Sequence, residues 1–236
     1  EGMQQTLLRR NQHFDLMLFD STTYPRKLAL DERVPAACGY LGCGIDPSLN
    51  PWEPGAGEDG PAVFLGTNYA HLDGGERERI LYQVSDQLYG QLAIYGHGGG
   101  GSRLAAIARP FIGQAEASRI MRRAPVTISM SLFQDLGRYS SDRLKRALCS
   151  GAVVALRSFP EMAGLGLEPG KNCLIWETAE DLVELLRTWT APARAAERME
   201  IRRRAAELGH ARFPWDRTVQ ELLAIVRDHR ARKGLP

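Results

Sequence analysis

Apolar positions follow two alternating rhythms along the chain. His13 to Asp20 (HFDLMLFD), Ala62 to Gly66 (AVFLG), Gln91 to Tyr95, Val126 to Ser131, residues 152–157 and Asn172 to Trp176 are short apolar runs of strand length. Pro110 to Gly113 reads as a further, very short strand. The segments between them have helical period. Residues 76–89 put Ile80, Leu81, Val84 and Leu88 on one face, and Glu116 to Arg123 forms the next helix. Residues 141–150 turn Leu144, Ala147 and Leu148 inward, and 179–190 place Leu182, Leu185, Leu186 and Trp189 at i, i+3, i+4 and i+7. A helix over 194–208 meets Gly209 in the position of a C′ stop. The last helix, about 216–231, carries Val219, Leu222, Leu223 and Val226 on its inward face.

Strands alternating with helices of this length predict βαβ units and a parallel sheet. Right-handed crossovers then give an α/β, Rossmann-like sandwich with helices on both faces. Residues 47–61 (PSLNPWEPGAGEDGP) are rich in proline and glycine, which marks a linker or long loop and sets a domain boundary there. Before it, residues 21–37 are ambiguous, and Gly39 to Asp46 is a short apolar piece broken by glycines.

Composition narrows the class. The 236 residues are 44% hydrophobic and 25% charged, as in an ordinary globular chain. No apolar run reaches the roughly 18 residues of a membrane span, and the opening Glu-Gly-Met-Gln-Gln has no signal-peptide core. A net charge of +2 is too mild to argue for nucleic acid. The triplet Arg202-Arg203-Arg204 reads as a solvated helix face. Cys38, Cys43, Cys149 and Cys173 form no C-x-x-C pair and no zinc spacing. Cys149 and Cys173 read as small buried hydrophobes, and a reduced, cytoplasmic protein is the simplest account. No metal-spaced histidines, paired carboxylates or Ser/His/Asp order stand out, so neither a metal nor a cofactor is expected. Asp135 and Glu161 lie at strand ends and could act as bases, but nothing singles them out.

The candidate chemistry lies at strand ends and one helix start. Residues 137–158 read as a polar loop, a short amphipathic helix, a glycine stop and a buried strand. Ser140, Ser141 and Arg143 open that helix, where free backbone N–H groups and the helix dipole favour an anion. One serine is the expected N-cap. Arg143 suits bidentate phosphate contact, or, as the plainer alternative, pairing along a helix surface. Gly66-Thr67-Asn68 follows a strand and precedes a helix, so its backbone can approach a phosphate; an ordinary βα turn is the alternative. It is neither G-x-G-x-x-G nor Gly-Lys-Ser/Thr, which disfavours an NAD site or an NTPase. Tyr95-Gly96-His97-Gly98 ends the next strand, and His97 could reach a sugar or phosphate. Ile112-Gly113 could read a base edge through backbone groups, or be a plain strand end.

Taken in order, these pieces resemble the GT-B glycosyltransferases. Tyr40-Leu41-Gly42-Cys43-Gly44-Ile45-Asp46-Pro47 is similar to their interdomain hinge. Ala62 to Gly66 with Glu76-Arg77, then Phe111-Ile112-Gly113, are similar to the opening steps of the C-terminal half. Ser140 to Leu144 running into Ser150-Gly151-Ala152-Val153-Val154 is similar to its "S-x-R-x-x-x-x-x-A-x-G" helix and strand, and Trp176 to Leu182, through Phe213 to Arg217, to its closing helices. The nearest group is the spore-maturation CgeB-like glycosyltransferases, over about residues 38–230. The resemblance implies a metal-independent transfer from a nucleotide-diphosphate-sugar donor to an unnamed acceptor. It places Gly66, Thr67 and Asn68 near the phosphates, Ile112 and Gly113 near the base, and Ser141 and Arg143 facing the diphosphate. Arg146 stands where many relatives have a glutamate that holds the donor ribose. Residues 61–236 would be the nucleotide-sugar-binding domain, and 1–60 what is left of an N-terminal domain plus the linker. Residues 1–37 hold only about one strand and one helix of an acceptor domain, so the expectation is that a longer chain or a partner chain supplies the rest, or that the activity is absent. Two other readings stay open. One is a non-catalytic nucleotide- or glycan-binding module. The other is a sugar-nucleotide epimerase of the same architecture, which would want carboxylates in the cleft.

Overall fold

The computed structural model describes residues 14–29, 37–55, 57–67, 74–96 and 103–234. The chain begins with β1 (Leu16–Phe19), α1 (Thr23–Ala29) and β2 (Ala37–Tyr40), where β1 and β2 form a two-stranded parallel sheet. It continues as β3 (Ala62–Leu65), α2 (Glu76–Gln87), β4 (Leu92–Tyr95), α3 (Gln114–Arg123), β5 (Thr127–Ser129), α4 (Asp142–Cys149), β6 (Val154–Arg157) and β7 (Leu174–Trp176). Helices α5 (Ala179–Trp189), α6 (Ala195–Arg212) and α7 (Trp215–Arg232) close it.

The larger sheet is parallel throughout, in the order β4-β3-β5-β6-β7. Its strands are mostly apolar because both faces are covered, with Thr127 and Ser129 of β5 the buried polar exceptions. Ala62 and Phe64 of β3 point to the face packed by Ile80, Leu81 and Val84 of α2 and Leu182, Val183 and Leu186 of α5. Val63 and Leu65 point to the opposite face, under Met121 of α3, Leu144, Ala147 and Leu148 of α4 and Ala205 of α6. The chain leaves β3 for β4 on one side and returns to β5 on the other. That reversal creates a switch point between β3 and β5, and crevices at the carboxyl ends of such strands are where α/β sheets take ligands.

Four expectations need correction. Pro110 to Gly113 is not a strand. Arg109 alone pairs with Tyr95, its N–H donating to the Ile94 carbonyl at 2.7 Å and its carbonyl accepting from Gly96 N at 3.2 Å. Pro110 follows with no N–H to donate, and pairing stops. Gly209 is not a helix stop either, since α6 runs through it to Arg212. A Cβ at Gly209 would lie 2.6 Å from the Cys149 nitrogen and 2.8 Å from its Cα, so this glycine serves the close crossing of α6 over α4. On α7, Val219 and Leu223 face outward at 47% and 52% exposure, while Thr218 and His229 are buried and Leu222 and Val226 are half-buried. The helix is clocked by its approach to Gly44, where a Cβ would sit 2.8 Å from Thr218 Oγ1 and from the Trp215 Cα.

The fourth correction is Arg202, which is fully buried. It donates to the carbonyls of Arg122 and Ala124 and pairs with Glu58 at 3.1 Å. Arg198, also buried, binds the same carboxylate through Nε at 2.9 Å and through Nη2. Arg203 and Arg204 do lie on the outer face, paired with Glu200 and Glu207. The proline-rich stretch before β3 is therefore pinned. Glu58 is held by α6, and Arg122 donates to the Pro51 carbonyl at 3.0 Å and meets Glu53 at 3.0 Å. Among the described residues no helix is long and apolar enough to cross a membrane.

Candidate functional site

A cavity of about 380 Å³ opens at the carboxyl ends of β3 and β4. Its floor is bare backbone. Gly66 N donates to the Tyr95 carbonyl at 2.9 Å, and Gly96 follows with φ +134, a conformation that glycine adopts readily and other residues rarely. A Cβ at Gly96 would overlap the Gly66 carbonyl. The two glycines let adjacent strand ends touch and leave peptide groups facing the cavity.

Arg143 reaches the cavity from the first turn of α4. Ser141 is the N-cap of that helix, its Oγ accepting from Leu144 N at 3.4 Å. The Arg143 guanidinium spans the switch point. Nη1 donates to the Leu65 carbonyl at the end of β3, and Nη2 to the Met130 carbonyl just beyond β5 at 2.8 Å. Its Cζ lies over the Phe64 ring, 4.7 Å from the centroid. Among the described residues no carboxylate pairs with it, and its Nε is buried without a hydrogen-bond partner. Burial first, and then the nearby Arg77, push its pKa down to about 9, above neutral pH, so the guanidinium keeps its charge. Arg77 is itself buried and donates to the Thr67 carbonyl at 2.8 Å.

The side wall is largely apolar, made by Phe111 and Ile112 with Ala117 and Met121 of α3. Phe111 is 65% exposed. Tyr95 stands beside Arg109, whose Nη1 donates to the Tyr95 hydroxyl at 2.7 Å. Arg146, one turn along α4 from Arg143, completes the lining. Its ion pair with Asp142 is 3.9 Å long.

Of the expected donor-site residues, Gly66, Tyr95, Gly96, Ile112 and Arg143 come together on this cavity. Thr67 is half-buried next to Gly66, outside the lining. Gly113 precedes α3 in an extended conformation with open space where a side chain would be. Ser140 is buried, and Ser141 is engaged as the cap, so neither lines the cavity. Asn68, His97 and Gly98 to Gly101 lie outside the described residues. Phe111, Gln114, Ala117 and Met121 also line the cavity. The spacing of Gln114, Ala117 and Met121 puts them on one helical face, and that was the available signal.

Glu161 and Asp135 are elsewhere. Glu161, in a left-handed conformation with φ +61, accepts from Thr22 Oγ1 at 3.2 Å and pairs with Arg26 and Arg138. Gly137 N donates to Thr23 Oγ1 at 2.8 Å beside it. Glu161 therefore fastens the start of α1 to the loops after β5 and β6. Lys145 fastens the β2–β3 segment to α4, donating to the Cys43 carbonyl at 2.9 Å, while the Cys43 thiol donates to Asp142 at 2.8 Å. Among the described residues no group of three His, Cys, Asp or Glu side chains could hold a metal ion.

Known proteins with this architecture share a theme. Sucrose-phosphate synthase from Thermosynechococcus elongatus superposes with a TM-score of 0.74 at 14% identity, over 98% of this chain and 62% of that one. HepE of Anabaena, solved with UDP-glucose, superposes with a TM-score of 0.72 at 14% identity, over 95% of this chain and 68% of its own. A glycosyltransferase from Rickettsia africae gives 0.69 at 10% identity, over 95% and 67%. The chain thus spans about two thirds of the length of these three proteins. No curated protein sequence matches it. At these identities the likeness establishes the fold, a Rossmann-like half of a GT-B structure. The profile of the glycosyl transferase-like family matches residues 77–224. That match takes in most of the cavity lining, α4 and the closing helices as far as residue 224, more than half of the chain, and the chain belongs to the glycosyl transferase-like family.

Proposed function

We propose that this chain is the donor-binding half of a GT-B glycosyltransferase. It binds a nucleotide-diphosphate-sugar and passes the sugar to an acceptor without a metal ion; the nearest subtype is the CgeB-like one. The observation that carries this reading is the fixed guanidinium of Arg143 at the β3/β5 switch point, beside the two glycines at the ends of β3 and β4. When the bond between the anomeric carbon and the phosphate oxygen breaks, negative charge collects on the leaving diphosphate. Arg143, Arg146 and the start of α4 offer preorganised positive charge there. The apolar wall of Phe111, Ile112 and Met121 suits a nucleobase. HepE, of the same fold, was solved with UDP-glucose. Residues 61–236 form the donor-binding unit, and residues 1–60 belong to the other domain and its linker.

A second reading, a non-catalytic nucleotide- or glycan-binding module, draws on one observation. No acidic side chain among the described residues lines the cavity. Thermal shift with UDP, GDP, ADP and CMP tests the binding that both readings need. A ligand at 100 times its dissociation constant should add about 2.7 kcal/mol of stability. If no nucleotide moves the melting temperature, the donor-site reading is wrong. Slow hydrolysis of the matching sugar donor separates the enzyme from the module.

A further inference from the structure

We infer that Arg146 is the residue that grips the donor diphosphate directly, and that the site ranks nucleotides by phosphate charge and ignores the ribose diol. The inference rests on the donor-site reading above. Arg143 and Arg146 are three residues apart on α4 and both face the cavity. They are not equivalent. Both Nη atoms of Arg143 are committed to the carbonyls of Leu65 and Met130, and its Nε is buried. Arg143 therefore contributes a fixed positive field and few free donors.

Arg146 has the opposite character. Asp142 Oδ2, its ion-pair partner, lies at 3.9 Å, beyond hydrogen-bond reach, and the Arg146 side chain is 34% exposed. Its fork is free to meet two phosphate oxygens at once. A guanidinium has five donors and no acceptor, so it cannot receive the ribose hydroxyl protons. The described lining holds no carboxylate that could receive them instead. A site selects a hydroxyl strongly only when losing that hydroxyl strands a buried polar partner; on the described lining Gln114 is exposed and the Tyr95 hydroxyl already accepts from Arg109, so no such buried side-chain partner is present among these residues.

The test is calorimetric titration of the purified chain. The probes are UDP, GDP and ADP, their 2′-deoxy counterparts and their monophosphates, compared on the base that binds most tightly. The diphosphate should bind at least about tenfold tighter than the monophosphate, and the deoxy form within about twofold of the ribo form. Arg146→Ala should weaken the diphosphate by about tenfold and bring it close to the monophosphate. Arg146→Lys should recover part of the loss, and Arg146→Gln should behave like the alanine variant. Arg146 is partly exposed, so these variants should melt like the parent without ligand. A tenfold preference for ribose, or unchanged diphosphate affinity in Arg146→Ala, overturns the inference and leaves the donor reading standing. Failure of every nucleotide to bind the parent chain overturns both.

Discussion

The guanidinium of Arg143 occupies the volume that any side chain at Gly66 would fill. A Cβ on Gly66 would overlap Nη1 and lie 3.1 Å from the Phe64 ring. The glycine at the end of β3 and the arginine at the start of α4 are one device. Gly66→Ala should therefore displace Arg143, destabilise the fold by about 1–3 kcal/mol as overpacking, and weaken nucleotide binding. Arg143→Ala alone should weaken the tightest nucleotide by at least about tenfold. If binding by Gly66→Ala in calorimetry equals that of the parent, the two residues are not coupled.

The carboxylate of Glu58 serves two buried arginines at once. Removing it in Glu58→Ala leaves Arg198 and Arg202 as buried charges with backbone carbonyls as their main partners. Loss of one member of a buried charge pair typically destabilises by about 3–5 kcal/mol. Arg203→Ala, on the exposed side of the same helix and screened by solvent, should change stability little. Urea midpoints of the two variants decide it. Equal midpoints would mean that the Glu58 network contributes no more than a surface pair.

Gly209→Ala separates two roles by sign. At a non-crowded helix position the change to alanine stabilises by about 0.8–1.0 kcal/mol. Here the new methyl would press on the backbone of Cys149, so a loss of about 1–3 kcal/mol is expected. A raised melting temperature would show that α6 and α4 have room to spare.

The legible and illegible parts of the chain divide along physical lines. The AVFL run of β3 was readable because a strand covered on both faces reads as a near-continuous apolar run. The start of α4 was readable because Ser141 caps it three residues before Leu144. Local sequence could not distinguish the two uses of glycine at 209, because the deciding neighbour, Cys149, is remote in the chain. Nor could it show Arg202 as buried, since Glu58 and the carbonyls of Arg122 and Ala124 come from other elements. The apolar stripe at Val219 and Leu223 had helical period but not the inward direction, which packing at Gly44 sets. At the cavity, the strand-end glycines stood out by type. Phe111 and Met121 carried no chemical signal, and only the fold brings them beside Arg143.

Stability should fall steeply in alkali through two buried thiols. Burial pushes Cys149 and Cys173 up from 9.0 to about 12. Burial likewise pushes Tyr40 up to about 12. A thiol that ionises more easily in the unfolded chain releases its proton there first, so the unfolded state gains as pH rises. The contribution is complete below about pH 8, and each thiol then removes up to about 1.4 kcal/mol per pH unit until the folded-state value is reached. Tyr40 adds to the decline above its ordinary value of 10.0. Urea midpoints at pH 8, 10 and 11 should show the drop for the parent chain. Cys149→Ala with Cys173→Ala should be less stable at pH 8, having lost packing, but should decline more gently with pH. An identical slope in the double variant would rule the thiols out as its source.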